Sequence, residues 1–155
     1  EGSGFFQHGH TYLGHATACA AALAVQQVIE REGLLQRVDQ LGIELRRALA
    51  ARFDEHPHIG DIRGRGLFLG LEFVADRASK KPFPTEDRFD QVLKTAAMEQ
   101  GLICYPMAGT IDGKNGSHVL LAPPFILSDD QIGEIVDKLA LAVDVTVASA
   151  ASGRV

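Results

Sequence analysis

The spacing of apolar residues changes at one point in this chain, the segment His56-Pro57-His58. Before that segment, apolar residues recur every three or four positions, which is the period of an amphipathic helix. After it, short apolar runs lie between glycines and prolines, a pattern typical of strands and turns. Because the residue before a proline is disfavoured in the α region, the helical pattern ends there. We therefore expect a helical segment followed by a mixed segment of strands and helices.

Two long helices are predicted in the first segment. Residues 16–32 form an alanine-rich run of high helix propensity, and Gly33 follows as a residue suited to a helix end. Residues 34–53 carry one apolar stripe with arginine and glutamate on the other side. The stripe consists of Leu34, Val38, Leu41, Leu45, Leu49 and Phe53. Small side chains on the first helix would allow close packing against neighbours.

Short strands and two further helices are predicted in the second segment. Apolar runs at 67–74, 102–105 and 119–122 are typical of strands. Thr85 is predicted as the N-cap of one helix, and Ser128 opens a capping-box pattern for the other. The predicted fold class is α+β, with two long N-terminal helices followed by a small, mostly antiparallel sheet covered by helices.

Charge and composition argue against several classes of protein. The formal net charge is −5 and no cluster of lysine and arginine occurs, so a nucleic-acid partner is not expected. No apolar stretch is long enough to cross a bilayer and no signal peptide is recognisable, so no membrane partner is expected. Cys19 and Cys104 have no metal-ligand spacing and are expected to be buried and reduced. The composition favours a cytoplasmic protein.

The least ordinary segment is the loop His8-Gly9-His10-Thr11-Tyr12-Leu13-Gly14-His15, directly before the first helix. Its three histidines could bind zinc, although no carboxylate or thiol lies nearby in the sequence to complete the ligand set. Thr11, the glycines and the positive end of the following helix would suit a phosphate ester instead. In a third interpretation, the histidines only satisfy buried backbone carbonyls. Spacing alone does not separate these interpretations, and no metal site is predicted.

Three segments together resemble one enzyme family. HGHTYLGHA followed by TACAAALA is similar to the class III aminotransferase pattern H-G-x-T-Y-x-G-H-P before an alanine-rich helix, with Ala16 in place of the usual proline. GDIRGRGLFLGLEFV resembles the family's G-D-x-R-G-x-G-L strand, and LLAPPFILSDDQI resembles its A-P-P segment. The motifs occur in the family's order and cover nearly the whole chain.

This resemblance implies a fold-type-I enzyme that uses pyridoxal 5′-phosphate (PLP) and forms a homodimer with shared active sites. The hydroxyl at the Thr11 position would bind the cofactor phosphate of the neighbouring subunit, with His10 and Tyr12 flanking it. PLP chemistry also needs a lysine, which in the family lies upstream of the HGxTY segment. None of the chain's lysines has the family's sequence context; they are Lys80, Lys81, Lys94, Lys114 and Lys138. We therefore expect no catalytic residue, no activity and no defined PLP site in this chain alone.

The predicted substrate contacts depart from the family pattern. Many members carry an arginine for the substrate carboxylate where Tyr105 stands in this chain, so a bidentate arginine clamp is missing from this strand. The loop that follows, residues 106–118, offers Lys114 and His118 as polar substrate contacts. The same loop also fits an extended hairpin with Lys114 in solvent.

The implied activity is transfer of an amino group from an amine or amino acid to a 2-oxo acid. An aminomutase or decarboxylase of the same family is one alternative, because fold kinship does not separate these chemistries. A non-catalytic dimerisation module is the other. The chain begins at Glu1 without methionine and is expected to be a fragment. Residues 1–56 would end a cofactor-binding large domain, 57–147 would form a C-terminal small domain, and 148–155 a frayed tail.

Overall fold

The computed structural model of the chain describes Gly4 and residues 8–152. The described residues divide into two compact units, with the boundary between Leu35 and Gln36. The first unit contains helix α1, Ala16–Arg31, none of whose residues is buried. The predicted bounds of this helix were 16–32, so the alanine-rich composition located it to within one residue. Cys19, expected to be buried, is exposed on this helix.

Helix α2, Leu34–Phe53, supplies one side of the core of the second unit. Four residues of the predicted apolar stripe are at most 1% exposed in the second unit: Leu41, Leu45, Leu49 and Phe53. Gly42 lies between them and is buried, and a Cβ at this position would stand 2.5 Å from the carbonyl oxygen of Gly66. This helix therefore approaches another segment of backbone closely at a glycine.

A four-stranded antiparallel sheet forms the other side of the core. Its strands are β1 (Ile59–Arg65), β2 (Phe68–Phe73), β3 (Tyr105–Ala108) and β4 (Ser117–Leu121), in the spatial order β1-β2-β4-β3. The two edge strands are irregular, since β1 has a register shift near its start and β3 contains Pro106. The predicted α+β class with a small antiparallel sheet is confirmed.

Two helices follow strands and complete the core. They are α3, Phe89–Glu99, and α4, Asp129–Ser152. A group of phenylalanines lies between β2 and α3, with ring centroids of Phe83 and Phe89 4.4 Å apart and those of Phe73 and Phe89 4.9 Å apart. Aromatic pairs at this spacing add to the stability gained from burial alone.

The starts of these helices differ in how well they were predicted. Thr85 begins a short 3-10 turn instead of capping α3, because Arg88 adopts φ 44 and interrupts the helical backbone before Phe89. At α4, the backbone N–H of Ser128 donates to Oε1 of Gln131 at 3.0 Å, as the capping-box pattern predicted. Residues 148–152, expected in a frayed tail, continue α4 as helix, since alanine is the strongest helix former.

None of the helices in the described ranges is both long enough and apolar enough to cross a membrane.

Candidate functional site

In the first unit, the loop before α1 forms a tight turn that ends in a helix cap. The N–H of Leu13 donates to the carbonyl of His10 at 2.9 Å, and Gly14 follows with φ +77. Nδ1 of His15 accepts a hydrogen bond from the N–H of Ala18 at 3.3 Å. A side-chain acceptor at this position satisfies one of the free N–H groups of the first helical turn. His15 therefore has a structural role.

Three residues predicted to bind the cofactor, His10, Thr11 and Tyr12, lie together at the start of this turn and are all exposed. The Thr11 hydroxyl has no hydrogen-bond partner in the part of the chain that the structure describes. In the first turn of α1, the N–H groups of Ala16 and Thr17 precede the first intrahelical bond, from the N–H of Cys19 to the carbonyl of His15. The loop thus presents a free hydroxyl beside a helix N-terminus.

The metal interpretation of this loop has less support. The rings of His8 and His10 meet edge to face, with centroids 4.8 Å apart, and His15 caps the helix. Among residues 8–152 and Gly4, no group of three or more histidine, cysteine or acidic side chains is arranged to hold a metal ion.

In the second unit, two of the candidate substrate residues, Tyr105 and His118, lie on the sheet face that the core does not cover. Residues of alternating position on β2 and β4 point into the core, so their neighbours occupy the other face. We call this second surface the open face. It carries Asp61, Arg63, Arg65, Phe68, Gly70, Glu72, His118, Leu120, Tyr105 and Met107. A shallow pocket of about 240 Å³ lies on it above Gly70 and Leu120.

A group of charges crosses the open face from β1 to β2. Nη1 of Arg63 donates to Oδ2 of Asp61 at 2.9 Å and to Oε2 of Glu72 at 3.0 Å. The hydrogen bond from Arg63 lowers the pKa of Asp61, and these carboxylates in turn raise the pKa of Arg63. Because two acidic groups neutralise its charge, Arg63 is poorly suited to bind a further anion. The sequence signal for this group was Glu72, a charged residue inside an apolar strand.

His118 continues this polar group on the next strand. It lies opposite Glu72 on β2 and opposite Met107 on β3. Its Nδ1 is 2.6 Å from the hydroxyl oxygen of Thr110, a residue that the sequence did not single out. Burial and the nearby charge of Arg63 lower the pKa of His118. A neutral imidazole is therefore favoured at this position.

Tyr105 lies on the same face as His118, at a diagonal position of the β3–β4 ladder. Its cross-strand partner is Leu120, and the residue is 63% exposed. This position thus presents an uncharged phenol beside an aliphatic side chain.

Lys114, the third predicted substrate residue, lines a different cleft. This cleft, of about 180 Å³, also contains Phe83, Arg88 and Ser117. Ser117 belongs to the buried face of β4, whereas His118 belongs to the open face. The structure therefore brings Tyr105 and His118 to one surface and separates Lys114 from them.

The loop between β3 and β4 is closed by one carboxylate. Asp112 Oδ1 accepts the backbone N–H groups of Lys114 at 2.9 Å and of Asn115 at 2.7 Å, and Oδ2 accepts Nδ2 of Asn115 at 2.7 Å. These bonds, led by the one from the Asn115 backbone, lower the pKa of Asp112. We call this arrangement the Asp112 clasp.

Comparison with known proteins gives consistent matches along the chain. The family model Aminotransferase class-III matches residues 2–143. An uncharacterised aminotransferase of Schizosaccharomyces pombe is 46% identical over 95% of this chain and 31% of its own length. A diaminobutyrate–2-oxoglutarate transaminase of Halomonas elongata is 36% identical over 88% of this chain and 28% of its own length.

Solved structures agree with these matches. The (S)-enantioselective omega-transaminase from Thermomicrobium roseum superimposes with a TM-score of 0.80 at 32% identity, covering 94% of this chain and 31% of that one. A PLP-bound aminotransferase mutant from Vibrio fluvialis gives a TM-score of 0.78 at 36% identity. The match covers 94% of this chain and 30% of that one. The chain thus spans less than one third of the length of these relatives.

Proposed function

The chain belongs to the class III aminotransferases, and on that premise we propose that it is the C-terminal portion of a PLP-dependent enzyme that transfers an amino group from an amine or amino acid to a 2-oxo acid. The family match over residues 2–143 is the observation that carries this proposal. The order of the three motifs in the sequence supports it. In this proposal residues 1–56 end the large domain and residues 57–147 form the small domain of the longer protein.

The cofactor, when bound, would accept the amino group and act as an electron sink. This chain would contribute to holding its phosphate. Thr11 is exposed with a free hydroxyl, and the adjacent N-terminus of α1 offers N–H groups at its positive end. This donor set fits a phosphate. His10 and Tyr12 flank Thr11 in the same turn, and we propose that the three residues contact the cofactor of the neighbouring subunit in a homodimer.

The chain's substrate contribution is proposed at Tyr105 and His118. Without a cation at position 105, this strand cannot form a bidentate contact with a substrate carboxylate. The phenol of Tyr105 and the aliphatic side chain of Leu120 would instead contact an apolar part of the substrate, while neutral His118 would hydrogen bond to a polar group. Lys114 is proposed as a further contact, which would reach the substrate from a different cleft.

The catalytic lysine is proposed to lie in the part of the longer protein that this chain does not include. Accordingly, the chain alone is proposed to be inactive and to bind PLP at no defined site. A cytoplasmic location is also proposed, supported by two cysteines that form no disulfide in the structure.

The test is product analysis with the longer protein. The expected result is stoichiometric release of the oxo acid derived from the donor amine, together with amination of an added 2-oxo acid. If no oxo acid forms, an isomerised amine would indicate an aminomutase, and released carbon dioxide would indicate a decarboxylase; either result would contradict this proposal. Absence of any PLP binding to the longer protein would favour a non-catalytic module.

A further inference from the structure

The loop between β3 and β4 contains an asparagine in an unusually reactive sequence setting. Asn115 is the only asparagine among the 155 residues, and Gly116 follows it. In an Asn-Gly pair, no side chain on the second residue hinders attack of its backbone nitrogen on the asparagine side chain. The Asn115 side chain is only partly buried, in a loop whose neighbouring residues 110–114 are exposed.

The fold requires glycine at the second position of this pair. Gly116 has φ +86, a region that side-chain-bearing residues rarely adopt. A Cβ at this position would also lie 2.9 Å from Cγ1 of Ile111. The loop therefore keeps the least hindered residue next to Asn115 for structural reasons.

The Asp112 clasp restrains the reacting group. The side-chain amide nitrogen that would leave is bonded to Oδ2 of Asp112, and the backbone N–H of Asn115 is bonded to Oδ1 of the same carboxylate. In addition, the N–H of Ile111 donates to the carbonyl of Asn115 at 3.0 Å. Three hydrogen bonds thus hold Asn115, and the one to its side-chain amide opposes rotation of that side chain.

We propose that Asn115 is a site of spontaneous deamidation and that the Asp112 clasp sets its rate. The Gly116 nitrogen loses its proton and forms a bond to Cγ of Asn115, while the bond from Cγ to Nδ2 breaks and ammonia leaves. Water then opens the five-membered imide to aspartate or isoaspartate. The only co-reactant is water, and no electrons are transferred to an outside acceptor.

Deamidation of Asn115 would loosen the loop between β3 and β4. A carboxylate at position 115 would replace a hydrogen-bond donor to Asp112 with a second negative charge, and like charges at this distance repel. Isoaspartate would also add one atom to the backbone of the loop. Thr110, which holds His118, belongs to the same loop, so the change extends to the pocket on the open face.

The test uses the purified chain, its Asp112→Ala variant and a synthetic peptide of residues 109–118, incubated together above neutral pH and below the unfolding temperature. Trypsin cleaves after Lys114 and therefore separates Asn115-Gly116 from the Asp112-Gly113 pair, which isomerises without a mass change. Mass spectrometry of the tryptic peptide 115–138 from each protein, and of the fragment 115–118 from the synthetic peptide, follows the conversion of amide to acid. Asp137→Ala is the matched control, because it removes an exposed carboxylate that has no hydrogen bond or ion pair among the described residues.

Deamidation in Asp112→Ala is expected to be about tenfold faster than in the wild type, a change equivalent to about 1.4 kcal/mol in the barrier. Asp137→Ala should match the wild type, and the free peptide should be at least as fast as Asp112→Ala. If Asp112→Ala loses its circular dichroism spectrum, Asp112→Ser, which keeps one acceptor oxygen, takes its place with a smaller increase expected. Equal rates in the Asp112 and Asp137 variants, a slower rate in the Asp112 variant, or no conversion in any folded form while the peptide is consumed would overturn the proposal.

Discussion

Thr110 and His118 are joined by a hydrogen bond of 2.6 Å between the hydroxyl oxygen and Nδ1. Through this bond the exposed loop after β3 is fixed to the strand that carries His118. It also determines which imidazole nitrogen remains for a ligand, because Nδ1 is occupied and Nε2 has no hydrogen-bond partner among the described residues. The orientation of His118 therefore depends on a residue eight positions earlier in the chain.

Thr110→Val should loosen this loop, since valine keeps the shape of threonine but removes the hydroxyl. We expect a loss of about 1 kcal/mol in the free energy of unfolding, the usual net value of one hydrogen bond. Urea unfolding of the chain measures this difference. Thr110→Ser retains the hydroxyl, so its free energy of unfolding should remain close to that of the wild type. Equal losses in both variants would show that the methyl group matters and the hydrogen bond does not.

The stability of the chain should fall as the pH drops below 6.5, the ordinary pKa of histidine. Burial is the largest cause that lowers the pKa of both His56 and His118 in the folded chain. Between 6.5 and the lower folded value, the unfolded state binds more protons than the folded state, so acidification favours unfolding. The midpoint of urea unfolding should therefore be lower below pH 6.5 than above it. In His118→Gln the decrease should be smaller, and an unchanged pH dependence would contradict the assignment for His118.

Arg63→Gln should raise the pKa of Asp61, because the hydrogen bond from Arg63 is the main cause of its lowered value. Carboxyl titration by NMR measures this shift directly. The ion pairs are partly exposed, so the accompanying loss of stability should stay below about 1 kcal/mol. Arg65→Gln serves as the control, since Arg65 is an exposed arginine on the same strand without a carboxylate contact among the described residues. A similar shift in both variants would indicate a general charge effect.

Two glycine substitutions in helices should have opposite effects. Replacing glycine by alanine inside a helix normally stabilises it by about 0.5–1 kcal/mol. Gly133→Ala in α4 should show that gain, because a Cβ there would meet nothing within 4 Å among the described residues beyond its chain neighbours and the adjacent backbone of α4. Gly42→Ala in α2 should instead destabilise the chain, since its Cβ would overlap the backbone of Gly66. Urea unfolding of both variants tests the close approach of α2 to Gly66, which two stabilising results would disprove.

In the longer protein, Thr11→Ala should weaken PLP binding by about ten- to a hundredfold, the range expected for one hydrogen bond to a charged group. Titration of the cofactor-free protein with PLP, followed by visible absorbance, measures the affinity. Thr17→Ala removes another exposed hydroxyl from the same segment and is expected to bind PLP with an affinity closer to that of the wild type. If both variants lose affinity equally, the loop and not the Thr11 hydroxyl is responsible.

The elements that the sequence predicted well are those with a strong local signal. Helices α1 and α2 follow from alanine content and from a regular apolar stripe, which act within a few residues. Strand β1 was missed because Gly60, Asp61 and Gly64 interrupt its apolar pattern, and pairing with β2 determines its conformation. Similarly, β3 begins at Tyr105 and not at Leu102, because its length is set by the register with β4.

The arrangement of the candidate site likewise depends on strand pairing, which local sequence patterns do not determine. Tyr105 and His118 share a face only because β3 pairs with β4 in one particular register, and a shift by one residue would separate them. The contact of Arg63 with Glu72 likewise joins two strands. Lys114 has a position in the sequence close to His118, yet the loop directs it to another cleft. The motifs predicted the family, whereas the spatial relations between these residues could be determined only from the pairing of the strands.

The irregular edges of the sheet have a consequence for association with other chains. An edge strand with free N–H and C=O groups can pair with a strand from another molecule and start aggregation. In β3, Pro106 removes one N–H donor, and in β1 the register shift between Ile59 and Asp61 interrupts the regular spacing. Both edges are thus poor templates for strand addition, which protects the small sheet against edge-to-edge polymerisation.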